Sequence, residues 1–370
     1  MRLLWLPLWY PRPDAPHANV WARELAKAAA TRHDVVVLHA REGREADVLS
    51  YEPFPTLRLS HRQPRFFWVI PYLAAVLRGG ERIRGLGAFR LIHAHCTFPA
   101  GLGGLLLSFR HRVPLVVTEH WGPFDQLMGF SALSAQAIRL VLRRAASVSA
   151  VSSSLRGEIT RWVPRSDIEV IPPTVDLDVF HAGERAPATT RRVRLLFAGD
   201  LSHARKRLED VLEALRILQG DGGRSWELVV VGDGELRPDY EAQARCLGIG
   251  EQVRFWGSLP LEGVAEAMRG CDIFVMPSTY ETFGAVYAEA LACGKPVIAG
   301  RCGGPEDFVT PEVGRLVPPR DVPALAEAIR EVAAALPRFE PERLRAYAAE
   351  RFSLDAVGAR YDAVYRRVCR

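Results

Sequence analysis

The sequence predicts an α/β chain of two domains. Short apolar runs rich in β-formers recur along it, each followed by a turn and then by a segment with helical spacing. At 370 residues it has the length of two ordinary domains with separate cores. Between residues 173 and 192 the composition shifts to Pro, Ala, Thr and Arg, as a connector does.

In the first half, Leu3 to Leu8 reads as a strand, the loop Tyr10 to Asn19 follows, and Val20 to Ala30 reads as a helix. Val35 to Leu38 is a second strand. Residues 51 to 70 hold a loop and strand with clustered prolines, ahead of a helix from Ile70 to Leu86. Leu91 to Ala94 is a strand that delivers His95 and Cys96 to a glycine-rich helix around Pro99 to Leu107. Val113 to Thr118 brings Glu119, His120, Trp121 and Gly122 to its carboxyl end, where open α/β sheets bind ligands. Ala145 to Ser152 and Ile168 to Pro172 complete the first half, and a boundary is expected near residue 186.

In the second half, Val193 to Ala198 is a strand, Gly199 opens a loop ending at Lys206, and Leu208 to Gln219 is a helix. Strand, glycine turn, basic loop and helix start suit a phosphate. Leu228 to Val231 is a strand closed by Gly232-Asp233-Gly234, and Val253 to Trp256 is another. After Val297 to Ala299 comes the turn Cys302-Gly303-Gly304-Pro305-Glu306. Helices Ala324 to Ala335, Pro341 to Glu350 and Leu354 to Val368 end the chain.

The chain is organised around Pro277 to Val297, PSTYETFGAVYAEALACGKPV. A buried strand, Asp272 to Met276, leads into it, Ala285 to Ala292 carries helix formers, and Gly294 is placed to end that helix. Glu281 and Glu289 are eight positions apart. On one helix they would stand roughly 80° out of register, so they converge only if Glu281 lies in the loop before it. Between them Thr282, Phe283 and Gly284 place backbone N–H groups at a helix start, which favours an anion. Gly284 lets a ligand approach the backbone. Acid, phosphate donors and a second acid suit a sugar nucleotide, with hydroxyls at either end and a diphosphate between.

This segment resembles the E-x7-E donor motif of the retaining family 4 glycosyltransferases, whose usual wording is close to P-S-x-x-E-G-F-G-x-x-x-x-E-A-x-A-x-G-x-P-V; Thr282 stands where glycine is usual. The resemblance covers nearly the whole chain and is densest from residue 193 to 310. It implies the GT-B arrangement: two Rossmann-like domains facing across a cleft, the first (1–185) for the acceptor, the second (186–350) for the nucleotide sugar, and a final helix (351–370) crossing back to the first.

It further implies that Glu289 holds the ribose and Glu281 the transferred sugar, with the Phe283 and Gly284 amides near sugar or phosphate. The TEHWG strand end puts His120 at the sugar near the reacting carbon, whereas His95 is a structural or acceptor-side residue, and the loop ending at Asn19 approaches the acceptor or the donor phosphates. Gly199, Leu201 and Lys206 resemble the family's G-R-L-x-x-x-K-G pattern, with the loop lengthened by one residue. Asp200 replaces its phosphate-binding Arg, so either Asp200 points away or Arg205 or Arg207 supplies the missing charge. Gly232 belongs to a G-D-G turn, and Trp256 to a loop whose backbone reads the base.

The expected activity is therefore a metal-independent, retaining hexosyl transfer from a nucleoside diphosphate sugar, UDP or GDP, to a hydroxyl acceptor, lipid-linked or a cell-envelope glycan precursor. Lys206, His120 and Glu281 would be catalytic, with no cofactor beyond the donor. The rivals are a nucleotide-sugar epimerase of the same fold and a non-catalytic sugar-nucleotide-binding protein.

Composition sets the outer limits. Six cysteines form no CxxC or Cys/His metal spacing, so neither a disulfide framework nor a zinc site is expected. The first ten residues are too short an apolar run for a signal peptide or a membrane span, and a cytoplasmic protein is expected. Only Lys27, Lys206 and Lys295 are lysines. Residues 1 to 180 carry 22 basic and 15 acidic side chains, the remainder 26 and 28. The basic first half, with Phe66, Phe67, Trp68 and Tyr72 beside Arg62, Arg65, Arg78, Arg82 and Arg84, suits the anionic inner face of a membrane. No block suggests nucleic acid.

Overall fold

A computed structural model describes all residues except 12–18, 52, 63–68, 86, 184–191 and 221–223. The chain forms two compact units, Met1–Thr174 with Leu354–Arg370, and Val175–Ser353.

The first unit is built on an eight-stranded sheet of β1 (Arg2–Pro7), β2 (Asp34–Glu42), β3 (Val48–Ser50), β4 (Thr56–His61), β5 (Leu91–His95), β6 (Leu115–Glu119), β7 (Ser147–Ala150) and β8 (Glu169–Val170). The order is β3-β4-β2-β1-β5-β6-β7-β8, and every pairing is parallel except β3 with β4. Central strands of such a sheet are covered on both faces and read as unbroken apolar runs. Leu3, Leu4, Trp5 and Leu6 are accordingly inaccessible. The last helix, Leu354–Val368, packs against helix Val20–Ala30, and its Val357, Tyr361, Val364 and Tyr365 join Leu3, Trp5, Leu25 and Val37 in one core. That is the expected return of the chain end to the first unit.

The second unit holds β9 (Arg192–Ala198), β10 (Ser225–Val231), β11 (Val253–Gly257), β12 (Ile273–Met276), β13 (Val297–Gly300) and β14 (Gly314–Val317). All pairings are parallel, in the order β11-β10-β9-β12-β13-β14. Strand order reverses between β9 and β12, and the crevice outside the carboxyl ends of those two strands is where such sheets take ligands.

The division between the units falls before Val175, earlier than the boundary expected near residue 186. The connector belongs to the second unit: the Val175 amide donates to the Phe352 carbonyl, and Arg345 donates to the carbonyls of Leu177 and Phe180. The second break falls between Ser353 and Leu354, a little beyond the expected end of that domain at 350.

Helices Val20–Ala30, Leu208–Gln219, Ala285–Ala292 and Leu354–Val368 have the expected bounds. The expected helix from Pro99 begins later, at Leu102, after a distorted turn over Thr97–Gly101 in which Phe98 is extended. Of the aromatic and basic patch, Arg65, Phe66, Phe67 and Trp68 lie outside the described residues, and Tyr72 is buried.

Candidate active site

The loops after β9 and β12 meet at the switch point of the second sheet. Thr279, just past β12, donates its amide to the Arg205 carbonyl (2.9 Å), and its hydroxyl reaches the same oxygen (3.3 Å). Across this junction Lys206 Nζ donates to Glu281 Oε1 at 2.6 Å. Both side chains are mostly buried, 17% and 12% exposed, which makes the pair more than a solvated surface contact.

Glu281 is fixed from both sides of its backbone: its amide donates to the Cys302 carbonyl (3.3 Å), and its carbonyl accepts from Gly304 (2.9 Å). The Gly303–Glu306 turn thus braces Glu281, and the Glu306 carboxylate closes that turn on the Gly303 amide. Gly284 sits at φ +87 before helix Ala285–Ala292, a conformation glycine adopts without strain. Phe283 is a core residue, its ring stacked on Phe308 and edge-on to Phe352, which leaves only its backbone for a ligand. Within the helix Ala285, Val286 and Glu289, which share one side, are partly buried, and the other positions described are buried. Burial pushes the Glu289 carboxyl up to about 7.

Asp200 does not oppose a ligand as a bare charge. Its carboxylate accepts from the Ser202 amide (2.8 Å), closing a local turn. Burial works to raise its pKa, but the Ser202 hydrogen bonds and the charges of His203 and Arg205 outweigh that and leave it lowered. Arg207 is not the replacement cation: its guanidinium forks onto Asp210 (2.9 and 2.6 Å) and pairs with Glu209, both in the first turn of helix Leu208–Gln219. Arg205 has an exposed side chain, while its carbonyl is held by Thr279.

Two glycines of this site have different reasons to be glycine. Gly232 lies at φ +131, and a Cβ there would meet the Gly199 carbonyl oxygen at 1.9 Å. The loops after β9 and β10 interlock here, with the Leu201 amide on the Asp233 carbonyl. At Gly199 the nearest atom to an added Cβ is the Met276 sulfur at 3.5 Å, followed by Phe197 and then the Lys206 side chain at 3.8 Å. Gly232→Ala should therefore cost roughly 2–5 kcal/mol of stability by strain and overlap, and Gly199→Ala within about 1 kcal/mol. Chemical denaturation of both variants checks this, and equal losses would contradict it. Trp256, on edge strand β11, is 49% exposed, and the Gly257 carbonyl beside it accepts from Gly232.

In the first unit His120 follows β6, with its Nε2 2.9 Å from Nδ1 of His95 and its ring 4.6 Å from Trp21. Burial pushes His120 down to about 3 and holds His95 well below the ordinary imidazole range, where His93 and His120 add to the effect. Both rings are neutral at ordinary pH. His95 is 1% exposed, which selects the structural role expected of it over the acceptor-side one: it supports His120. The reason is topological: β5 is a central parallel strand with every residue buried. Asn19 precedes helix Val20–Ala30 at φ 57 and offers its carbonyl to Ala22 (3.1 Å).

Glu119, which the sequence places at the strand end without a role, is a supporting residue. Fully buried, its carboxylate accepts from the amides of Thr97, His120 and Trp121, each at 2.8 Å. It fixes the backbone that carries His120. Glu119→Gln turns an amide group toward those donors, and the expected loss is about 2 kcal/mol by thermal or urea unfolding. Wild-type stability would contradict this assignment.

Known proteins match this architecture. The family model described as Glycosyltransferase Family 4 matches residues 18–179, and that described as Glycosyl transferases group 1 matches 192–335. A D-inositol 3-phosphate glycosyltransferase of Kribbella flavida is 31% identical over 71% of this chain and 67% of its own length. One from Segniliparus rotundus is 28% identical over 96% of this chain and 86% of its own. Among solved structures, Anabaena HepE in complex with UDP and glucose superposes with a TM-score of 0.75 at 22% identity, over 99% of this chain and 100% of that one. The chain is thus a glycosyltransferase of the GT-B fold and belongs to the family whose first half is of the family 4 type and whose second half is of the group 1 type.

Proposed function

We propose that this enzyme transfers a hexosyl-type unit, with retention and without a metal ion, from a UDP or GDP sugar to a hydroxyl acceptor, lipid-linked or a cell-envelope glycan precursor. The observation that carries the reading is the Lys206–Glu281 pair at the switch point of the second sheet, just ahead of the helix that starts after Gly284 and carries the partly buried Glu289.

In this reading the acceptor oxygen bonds to the anomeric carbon on the face from which the nucleoside diphosphate departs. The carbon–oxygen bond to the diphosphate breaks, and the acceptor proton passes to the departing phosphate. Lys206 and the Phe283 and Gly284 amides offset the charge that grows there. Exposed Arg205 is the remaining cation for the phosphates, since Arg207 is held by its own helix. Glu281 orients the sugar, Glu289 accepts from the ribose, and neutral His120 hydrogen-bonds the sugar. Asn19 borders the acceptor. The site works in the cytoplasm, with the first unit at an anionic membrane surface.

A panel of nucleoside diphosphate sugars, screened for thermal stabilisation, identifies the donor, because a ligand that binds only the folded state raises its melting temperature. Release of free nucleoside diphosphate only when acceptor is present supports transfer. Conversion of the donor sugar without acceptor would mark an epimerase, and stabilisation without turnover a binding protein.

A further inference from the structure

Six of the ten exposed large hydrophobic side chains among the described residues lie in one stretch of the first unit: Leu106, Phe109, Phe130, Leu133, Leu140 and Trp162. Helix Leu102–His111 packs against helix Ala132–Arg144. Each of these helices buries one side and shows a second apolar stripe ending in arginine.

On the first helix the stripe is Leu106, Phe109 and Arg110, the last two at helical spacings of three and four from Leu106. On the second it is Leu133, Gln136 and Leu140, closed by Arg143 and Arg144, opposite the buried Ala135, Ile138, Val141 and Leu142. Phe130, on the turn entering the second helix, is 64% exposed and Leu133 79%. An ordinary surface helix hides its single apolar stripe, so a second one facing water calls for an occupant.

Charge identifies that occupant. Residues 102 to 144 contain five arginines, Arg110, Arg112, Arg139, Arg143 and Arg144, and two acids. Of the acids, Glu119 is buried under three amides, and Asp125 is taken by the Trp162 indole and Arg161. A second copy of the chain on a two-fold axis would set arginine against arginine. Nucleic acid would leave Phe130 and Leu133 without apolar cover. Arg110 is paired with Glu81 at 3.2 Å, but neither acid of residues 102 to 144 is left for Arg112, Arg143 and Arg144, and apolar side chains beside such arginines match an anionic bilayer surface, with acyl chains below and phosphates above.

We propose that the stripes on Leu102–His111 and Ala132–Arg144, with Phe130 at their entry, are the surface by which this protein sits on anionic lipid. This deepens the membrane-facing part of the reading above and does not rest on the identity of the donor.

The full chain is tested by flotation with phosphatidylcholine vesicles and with vesicles containing phosphatidylglycerol, at low and high salt. Wild type should float with the anionic vesicles alone and release as salt rises. Phe130→Ser with Leu133→Ser, substitutions at exposed positions, should abolish most of the binding, and each of Arg143→Gln and Arg144→Gln should weaken it about fivefold. Thermal stabilisation by the nucleoside diphosphate sugar, measured on the same variants, should be unchanged, which separates this surface from the donor site. Equal partitioning of wild type between neutral and anionic vesicles, or wild-type flotation of the Phe130/Leu133 variant, would overturn the proposal. So would a dimer in solution that Leu133→Ser dissolves, since the stripe would then be covered by a second copy.

Discussion

Replacing Lys206 by alanine should lower kcat by about 10²–10³ while the protein still folds. The ammonium is held 2.6 Å from Glu281 where strand order reverses, beside a helix start, so it adds charge at the place where a departing diphosphate would gain it. Loss of the cation also leaves the Glu281 carboxylate, 12% exposed, without its partner, and a stability loss of about 1–3 kcal/mol accompanies the kinetic one. Lys206→Arg keeps the charge but sets a planar fork where a compact ammonium fits, so it should recover only part of the rate. Steady-state kinetics at saturating donor, with a melting curve for each variant, check both effects. A wild-type kcat for Lys206→Ala would remove Lys206 from the chemistry.

The second large effect concerns pH. Burial raises the Glu289 pKa from the ordinary carboxylate range to about 7, so the folded chain holds this proton more tightly than the unfolded chain. The stabilisation is complete below the unfolded value, near 4.5, and is lost as pH rises through 7. Unliganded wild type should therefore lose on the order of 2 kcal/mol from this group between those limits. Glu289→Gln, which has no proton to lose, should show a correspondingly flatter profile. Urea unfolding at a series of pH values, wild type against variant, reads the difference, and parallel profiles would contradict it.

Much of this fold was legible because the local signals agreed. Alanine-rich helix formers between Gly284 and Gly294 set the bounds of the helix that carries Glu289, and the apolar run before it could only be a covered strand. The candidate residues around Glu281 were named from spacing, but their partners were not. Lys206 and Glu281 are 75 positions apart, and no local pattern records which acid a lysine meets. By position either Arg205 or Arg207 could be the phosphate cation, but Glu209 and Asp210 lie two and three residues after Arg207 and a helix start brings them within its reach. The sequence leaves open whether Asp200 points away from a ligand, and its turn with Ser202 shows where its carboxylate is engaged, on the amide two residues on, a local habit of aspartate. His95 sits in the apolar IHAH run of a central strand, which already implied burial; its bond to His120 arises from the pairing of β5 with β6. The link from His93 to Tyr365 spans 272 positions and exists only because the last helix returns to the first unit.

The central claim is that the carboxyl end of the second sheet grips a sugar nucleotide, with Glu289 on the ribose. Calorimetric titration of the donor found by the screen, and of its free nucleoside diphosphate, into wild type and Glu289→Ala tests it most directly. The account predicts that wild type binds both and that the variant binds both about 10- to 100-fold more weakly, the loss expected for hydrogen bonds to a carboxylate. Wild-type affinity of Glu289→Ala for both ligands would contradict it.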